Sequence, residues 1–154
     1  MIKLINQAIA FASSRVFESI TLLFVRISLA GIFWRSARTK VEDGSLLTIN
    51  ENTIYQFGDE PFNNVPVLNG ELGAYVTMYA EHLFPILLVV GLASRLSAAA
   101  LLGMTLVIQI FVFPEAWWSV HMIWVALALV IITRGPGMFS LDQFLAGKLN
   151  KTPA

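Results

Sequence analysis

The chain has 154 residues, 56% of them hydrophobic and 13% charged, where a soluble domain carries about 25% charged residues. At a mean hydropathy of +0.71, a water-soluble fold would leave much apolar surface in solvent. A formal net charge of zero gives no basis for a nucleic-acid partner, and the lack of cysteine removes disulfides, thiolate metal sites and thiol chemistry.

Residues 2–16 read as an amphipathic helix. Ile2, Ile5 and Ile9 share one face, with Lys3, Asn6 and Gln7 off it. Asn6 and Gln7 also interrupt the apolar core that a secretory signal needs. The segment is expected to lie in the membrane interface and lead into the first span.

Four segments are long and apolar enough to cross a bilayer, which takes about 20 residues. They are residues 16–34, 72–92, 96–113 and 116–133. Backbone polar groups must be satisfied within hydrocarbon, so these runs are helices. Short links join the last three, which makes them antiparallel neighbours. Ala30 and Gly31 on the first span, and Ala99 with Gly103 on the third, are the small residues expected to allow close helix approach. The predicted fold is an all-α integral membrane four-helix bundle, a single domain over residues 1–154.

The connection over residues 35–71 is long, acidic and rich in Asn, with Pro61 and Pro66. A loop of that length is usually functional or self-structured. Within it, Asn50-Glu51-Asn52 separates two stretches rich in β-formers, Leu46-Leu47-Thr48-Ile49 and Thr53-Ile54-Tyr55-Gln56-Phe57. The pattern predicts a β-hairpin. After the fourth span, Gly135-Pro136-Gly137 stops the helix. Ser140 then caps a short amphipathic tail helix within residues 138–149, with Asp142 in its first turn and Phe144 and Leu145 against the membrane face.

Counting basic residues sets the orientation. With the N-terminus inside, Lys3, Arg15, Arg95, Arg134, Lys148 and Lys151 fall inside, against Arg35, Arg38 and Lys40 outside, six to three. Both termini are then expected in the cytoplasm and the long loop on the outer side of a bacterial inner membrane.

Polar groups within spans mark the places to look for chemistry, because hydrocarbon penalises them. Arg26 and Glu81 fall near the middle of the first and second spans and are expected to form a buried ion pair. That pair serves either to lock two helices in register or to build a proton-relay or headgroup site. His82 and His121 are the candidate catalytic residues. On the fourth span Trp117, His121 and Trp124 share a face, as do Tyr75, Tyr79 and His82 on the second. A pocket lined by Tyr79, His82, Gln109, His121 and Trp124 would offer a quinone flat walls and hydrogen bonds to its two carbonyls. The plain alternative is an aromatic belt at the lipid–water boundary, the preferred reading for Trp117 and Trp118. No ligand spacing calls for a metal ion, so none is expected. Arg35, Arg38 and Lys40 form a basic rim, read as lipid-phosphate anchors or as a collar that attracts anionic substrates.

These residues together resemble the DoxX family of small bacterial four-helix membrane proteins. The likeness runs from Arg26 through Phe33 and Lys40 to Glu81-His82-Leu83-Phe84-Pro85, then Gly91 and Arg95. It continues with His121 and Trp124 and ends in Gly135-Pro136-Gly137-Met138-Phe139-Ser140-Leu141-Asp142. The resemblance implies a membrane subunit of an oxidoreductase system. The family's associations include a thiosulfate:quinone oxidoreductase and redox-stress complexes. The absence of cysteine argues against sulfur chemistry here. Two functions therefore stand: a DoxX-like redox subunit that handles quinone with a membrane or periplasmic redox partner, and a non-enzymatic scaffold or small carrier that recruits a periplasmic partner.

Overall fold

A computed structural model describes residues 1–149. Lys151, part of the basic count, lies outside the described residues. Helix α1 spans Ile2–Ala12, and α2 spans Arg15–Arg38. Ser14 caps α2 by accepting from the Phe17 backbone N–H at 3.3 Å. Glu18 in the first turn and Arg35 with Arg38 in the last suit the helix dipole. Helix α3 spans Glu51–Gly58, α4 Gly70–Val90 and α5 Ser94–Phe111. The fourth span opens with a 3-10 turn at Pro114–Ala116 and a π turn at Trp117–His121, continues as α6 over Met122–Arg134, and is followed by α7 over Leu141–Leu149. Among the described residues, four helices are long and apolar enough to cross a membrane: Arg15–Arg38, Gly70–Val90, Ser94–Phe111 and Pro114–Arg134.

The expected β-hairpin does not form. One isolated antiparallel bridge, Val41 to Ile49, closes a small loop, and the residues assigned to the second strand are helix α3. The deciding residue is Asn50, placed in the hairpin turn by the sequence. Its Oδ1 accepts from the Thr53 N–H at 2.8 Å, while its Nδ2 donates to the Thr39 carbonyl at 3.0 Å. An Asn at an N-cap followed by Glu in the first turn is a strong helix start. Helical spacing then buries Thr53 and Phe57 together.

The core joins all four spans: Leu29, Ala30 and Phe33 of α2, Leu88 of α4, Ala98 and Leu101 of α5, and Ala128 and Ile131 of α6. Ala30, Ala98 and Ala128 are the small residues that let the axes approach. The expected Gly31, Ala99 and Gly103 are instead exposed rather than packed between helices.

The spans are staggered, because the buried charges choose different levels. Arg26 is fully buried and donates from Nη2 to the Phe139 carbonyl in the turn before α7. Its guanidinium also packs on Gly91, where α4 ends. Gly91 has φ of 76° and accepts the left-handed turn that closes the helix. A Cβ there would collide with Arg26 and come within 2.8 Å of Ser140 Cα. The Asp142 carboxylate lies across the same junction and accepts from the Ala93 and Ser94 N–H groups at 2.8 and 2.9 Å, capping α5. Ser140 caps α7 as expected, with its Oγ accepting from Gln143 N–H at 3.2 Å. Met138 N–H donates to Ser19 Oγ at 3.1 Å, which ties the turn to α2.

Gly91→Ala should therefore lose about 1–3 kcal/mol, the usual cost of overpacking. Gly31→Ala, with open space at its Cβ position, should be neutral or slightly stabilising. Thermal unfolding of the two variants in detergent separates them; equal melting temperatures would mean that the Arg26 junction yields freely.

Candidate functional site

At the loop end of the bundle the walls enclose a cavity of about 390 Å³. Ligand sites occupy roughly 300–1,000 Å³. Helix α2 contributes Phe33 and Ser36, with Lys40 just beyond its end, and α4 contributes Thr77, Ala80 and Glu81. Met104, Val107 and Ile108 come from α5, and His121 with Trp124 from the fourth span. Phe57, Phe62 and Leu68 of the connection between α2 and α4 form the roof. Phe57 stacks on Phe62 at 4.9 Å between ring centroids, and Phe62 meets Phe113 edge-on at 5.8 Å. The roof thereby packs against Phe113, just past the end of α5, and most of the lining is apolar.

Two polar groups stand out on these walls. The first is a closed cluster. Lys40 Nζ donates to Glu81 Oε2 at 2.8 Å and to Ser36 Oγ at 2.9 Å, while Ser36 Oγ donates to Glu81 Oε1 at 3.1 Å. Glu81 is 1% exposed, so an unpaired carboxylate there would be heavily penalised. The second is His121. Its Nδ1 lies 2.7 Å from Gln109 Oε1, and Gln109 Nε2 donates to the Pro114 carbonyl at 2.7 Å. The Pro114 bond fixes the amide, so Oε1 accepts and Nδ1 carries the hydrogen. Nε2 of the neutral ring is then left as an acceptor, without a partner among the described residues. Trp124 packs against His121 at 5.1 Å between rings and against Phe33 at 5.5 Å.

The expected Arg26–Glu81 pair is absent: Arg26 serves the tail junction and Glu81 takes Lys40. The expectation assumed that both helices start at one level. Instead, α4 extends about 16 Å beyond Glu81 toward its own start, against α3. Of the five residues expected to line the pocket, His121 and Trp124 do so. Gln109 holds His121 in place from behind. Tyr79 is 51% exposed on the outer surface of the bundle. His82 is buried off the cavity wall, with Nδ1 2.8 Å from the Met78 carbonyl and its ring edge-on to Trp34 at 5.3 Å. The basic rim also divides. Lys40 enters the cavity wall, Arg38 bonds the Ser45 carbonyl, and Arg35 remains exposed. Ser36 escaped the sequence reading, although its i, i+4 spacing to Lys40 was the available signal. Among the described residues, no group of three or more His, Cys, Asp or Glu side chains could hold a metal ion.

The profile of the DoxX family matches residues 21–114, which include Arg26, Lys40, Glu81 and Gln109. The chain belongs to the DoxX family. With four apolar helices, this DoxX chain is a multi-pass membrane protein. It is 29% identical over 146 residues to an uncharacterized protein of Haemophilus influenzae, covering 83% of this chain and 85% of that protein. No solved structure matches it. His121 and Trp124 lie beyond the family match.

The Lys40–Glu81 pair makes a direct prediction. Lys40→Ala strands a buried carboxylate and should cost on the order of 3 kcal/mol. Removing both side chains should cost less than the sum of the single changes, whereas Arg26→Ala and Glu81→Ala should add. Melting temperatures of the five variants decide it, and coupling between Arg26 and Glu81 would contradict the two separate bonding schemes.

Proposed function

We propose that this DoxX protein is the quinone-binding membrane subunit of a redox system. The observation that supports it most is the make-up of one cavity: apolar and aromatic walls, with an imidazole on the fourth span facing the same space as a lysine–carboxylate–serine cluster. Trp124, held edge-on by buried Phe33, offers a flat surface for a ring. Thr77 brings a hydroxyl donor to the wall made by α4, beside the Lys40–Glu81–Ser36 cluster. Nε2 of His121 accepts a hydrogen bond from a hydroxyl when neutral and donates to a carbonyl when protonated, so one residue can serve both oxidation states of the ring. A quinone takes up two electrons and two protons on reduction. In this reading the chain binds and orients the head and moves protons at His121 Nε2, while a partner redox protein supplies the electrons.

The orientation belongs to the same proposal. Both termini face the cytoplasm of a bacterial inner membrane, and the cavity with its roof lies on the outer side. Topology reporters fused within residues 43–46 and at the C-terminus should report opposite sides, and a periplasmic signal from the C-terminal fusion would invert it.

A second reading, a scaffold or carrier that recruits a periplasmic partner, has one feature in its favour. Leu46, Leu47, Tyr55 and Val67 of the α2–α4 connection are each more than half exposed. Stable co-purification of a soluble protein without quinone binding would favour it.

The test of the first reading is a binding titration with a decyl-tailed dimethoxybenzoquinone in detergent. His121→Phe should weaken binding about tenfold, near 1.4 kcal/mol, the scale of one hydrogen bond. Tyr79→Phe, at a residue on the outer surface, should leave it unchanged. Equal affinity in wild type and His121→Phe would remove the imidazole from the reading.

A further inference from the structure

We propose that the cavity opens sideways into the bilayer between α4 and α5, at Val76 and Gly103, and selects a ligand whose apolar tail runs out through that gap. The inference rests on the quinone reading and adds the route and the tail to it.

Val76 and Gly103 line the cavity. Both are also accessible to solvent, Val76 by 42%. In a cavity lined mostly by buried and half-buried side chains, lining residues this accessible mark where it opens. Thr77 and Ala80 on α4 and Met104 on α5, all partly exposed, line the cavity beside them.

Small side chains keep the gap open. Nothing lies within 4 Å of the position that a Cβ on Gly103 would take. Glycine in the middle of a helix is normally a weakness. Here φ is not in the left-handed region and no neighbour presses on the residue, so neither turn geometry nor packing requires it. What the missing side chain leaves is space at the mouth of the cavity.

Depth decides what can use the opening. Gly103 sits near the centre of the 18-residue α5, about 12–14 Å from either end. The hydrocarbon layer is about 30 Å thick, so the Gly103 side of the mouth would face acyl chains, with Val76 about 9 Å from the start of α4 on the side toward the loop. A lipid-soluble molecule meets it by diffusing in the membrane plane. The polar cluster and His121 inside would hold the head, and the tail would stay among the lipids.

The experiment compares two probes on three proteins: the decyl-tailed dimethoxybenzoquinone and the same ring without a tail, on wild type, Gly103→Leu and Gly31→Leu. Leucine at residue 103 should favour the helix and fill the mouth. Gly103→Leu should weaken the tailed probe at least about tenfold and leave the tail-less ring within about twofold of wild type. Gly31→Leu, at an exposed glycine that also has open space around it but does not line the cavity, should change neither. Wild type that binds the ring no better with its tail, or a Gly103→Leu variant that weakens both probes equally or neither, overturns the lateral route. Wild type that binds neither probe overturns the quinone reading and the route with it.

Discussion

The structure depends on where a single buried guanidinium finds its one hydrogen bond. Arg26 lies in a helix that must cross hydrocarbon, and it is fully buried. An isolated cation there would be strongly penalised. The chain answers by folding the segment after α6 back under the α4–α5 turn, so that the Phe139 carbonyl meets the guanidinium. Much of the tail end follows from that step. Gly91 has to lack a side chain, Ser19 receives Met138, and Asp142 arrives at the start of α5, where its carboxylate also lies close enough to act on Arg26 electrostatically. The tail motif is thus a joint between three spans.

The loop end solves the same problem with another set of groups. Glu81 is buried as deeply as Arg26, but it recruits a lysine from beyond the end of α2, using a serine one turn earlier as the bridge. Because each charge finds its partner at its own end, the helices slide past one another and α4 projects at one end. That projection gives α3 a surface to pack on, and α3 in turn roofs the cavity. The cavity is a product of the offset between spans rather than of any one residue that lines it.

Much of this was readable in the residues, and the failures have a common cause. The spans were legible because hydrocarbon demands long apolar runs, and Ser140 was recognisable as a cap because capping is local. The Arg26–Glu81 pairing misled because depth was taken from distance along each helix, and nothing in a sequence fixes the relative shift of two helices. Tyr, Phe and Ile in α3 favour a strand, but the capping amide of Asn50 outweighs those preferences. Asp142 was placed correctly in the first turn of α7, yet its partners sit on α5, far away in sequence. For the cavity, His121 and Trp124 could be found from their shared face. Ser36, Lys40 and Glu81 meet there through the stagger, whereas His82 and Tyr79 lie on faces of α4 that do not line the cavity.

The π turn at Trp117–His121 carries one more consequence. Such a turn amounts to an α-helix that has taken in a single extra residue, and such bulges recur at functional sites. An added residue rotates everything after it by about 100° relative to an uninterrupted helix. The direction in which His121 points is therefore written into the count of residues between Pro114 and the rest of α6, as well as into the choice of histidine. Relatives that lost one residue in this stretch would keep the histidine and the hydropathy of the span, and still present a different side chain to the cavity. In comparing members of the family, gaps at this turn would carry more information about the pocket than most substitutions along the helix.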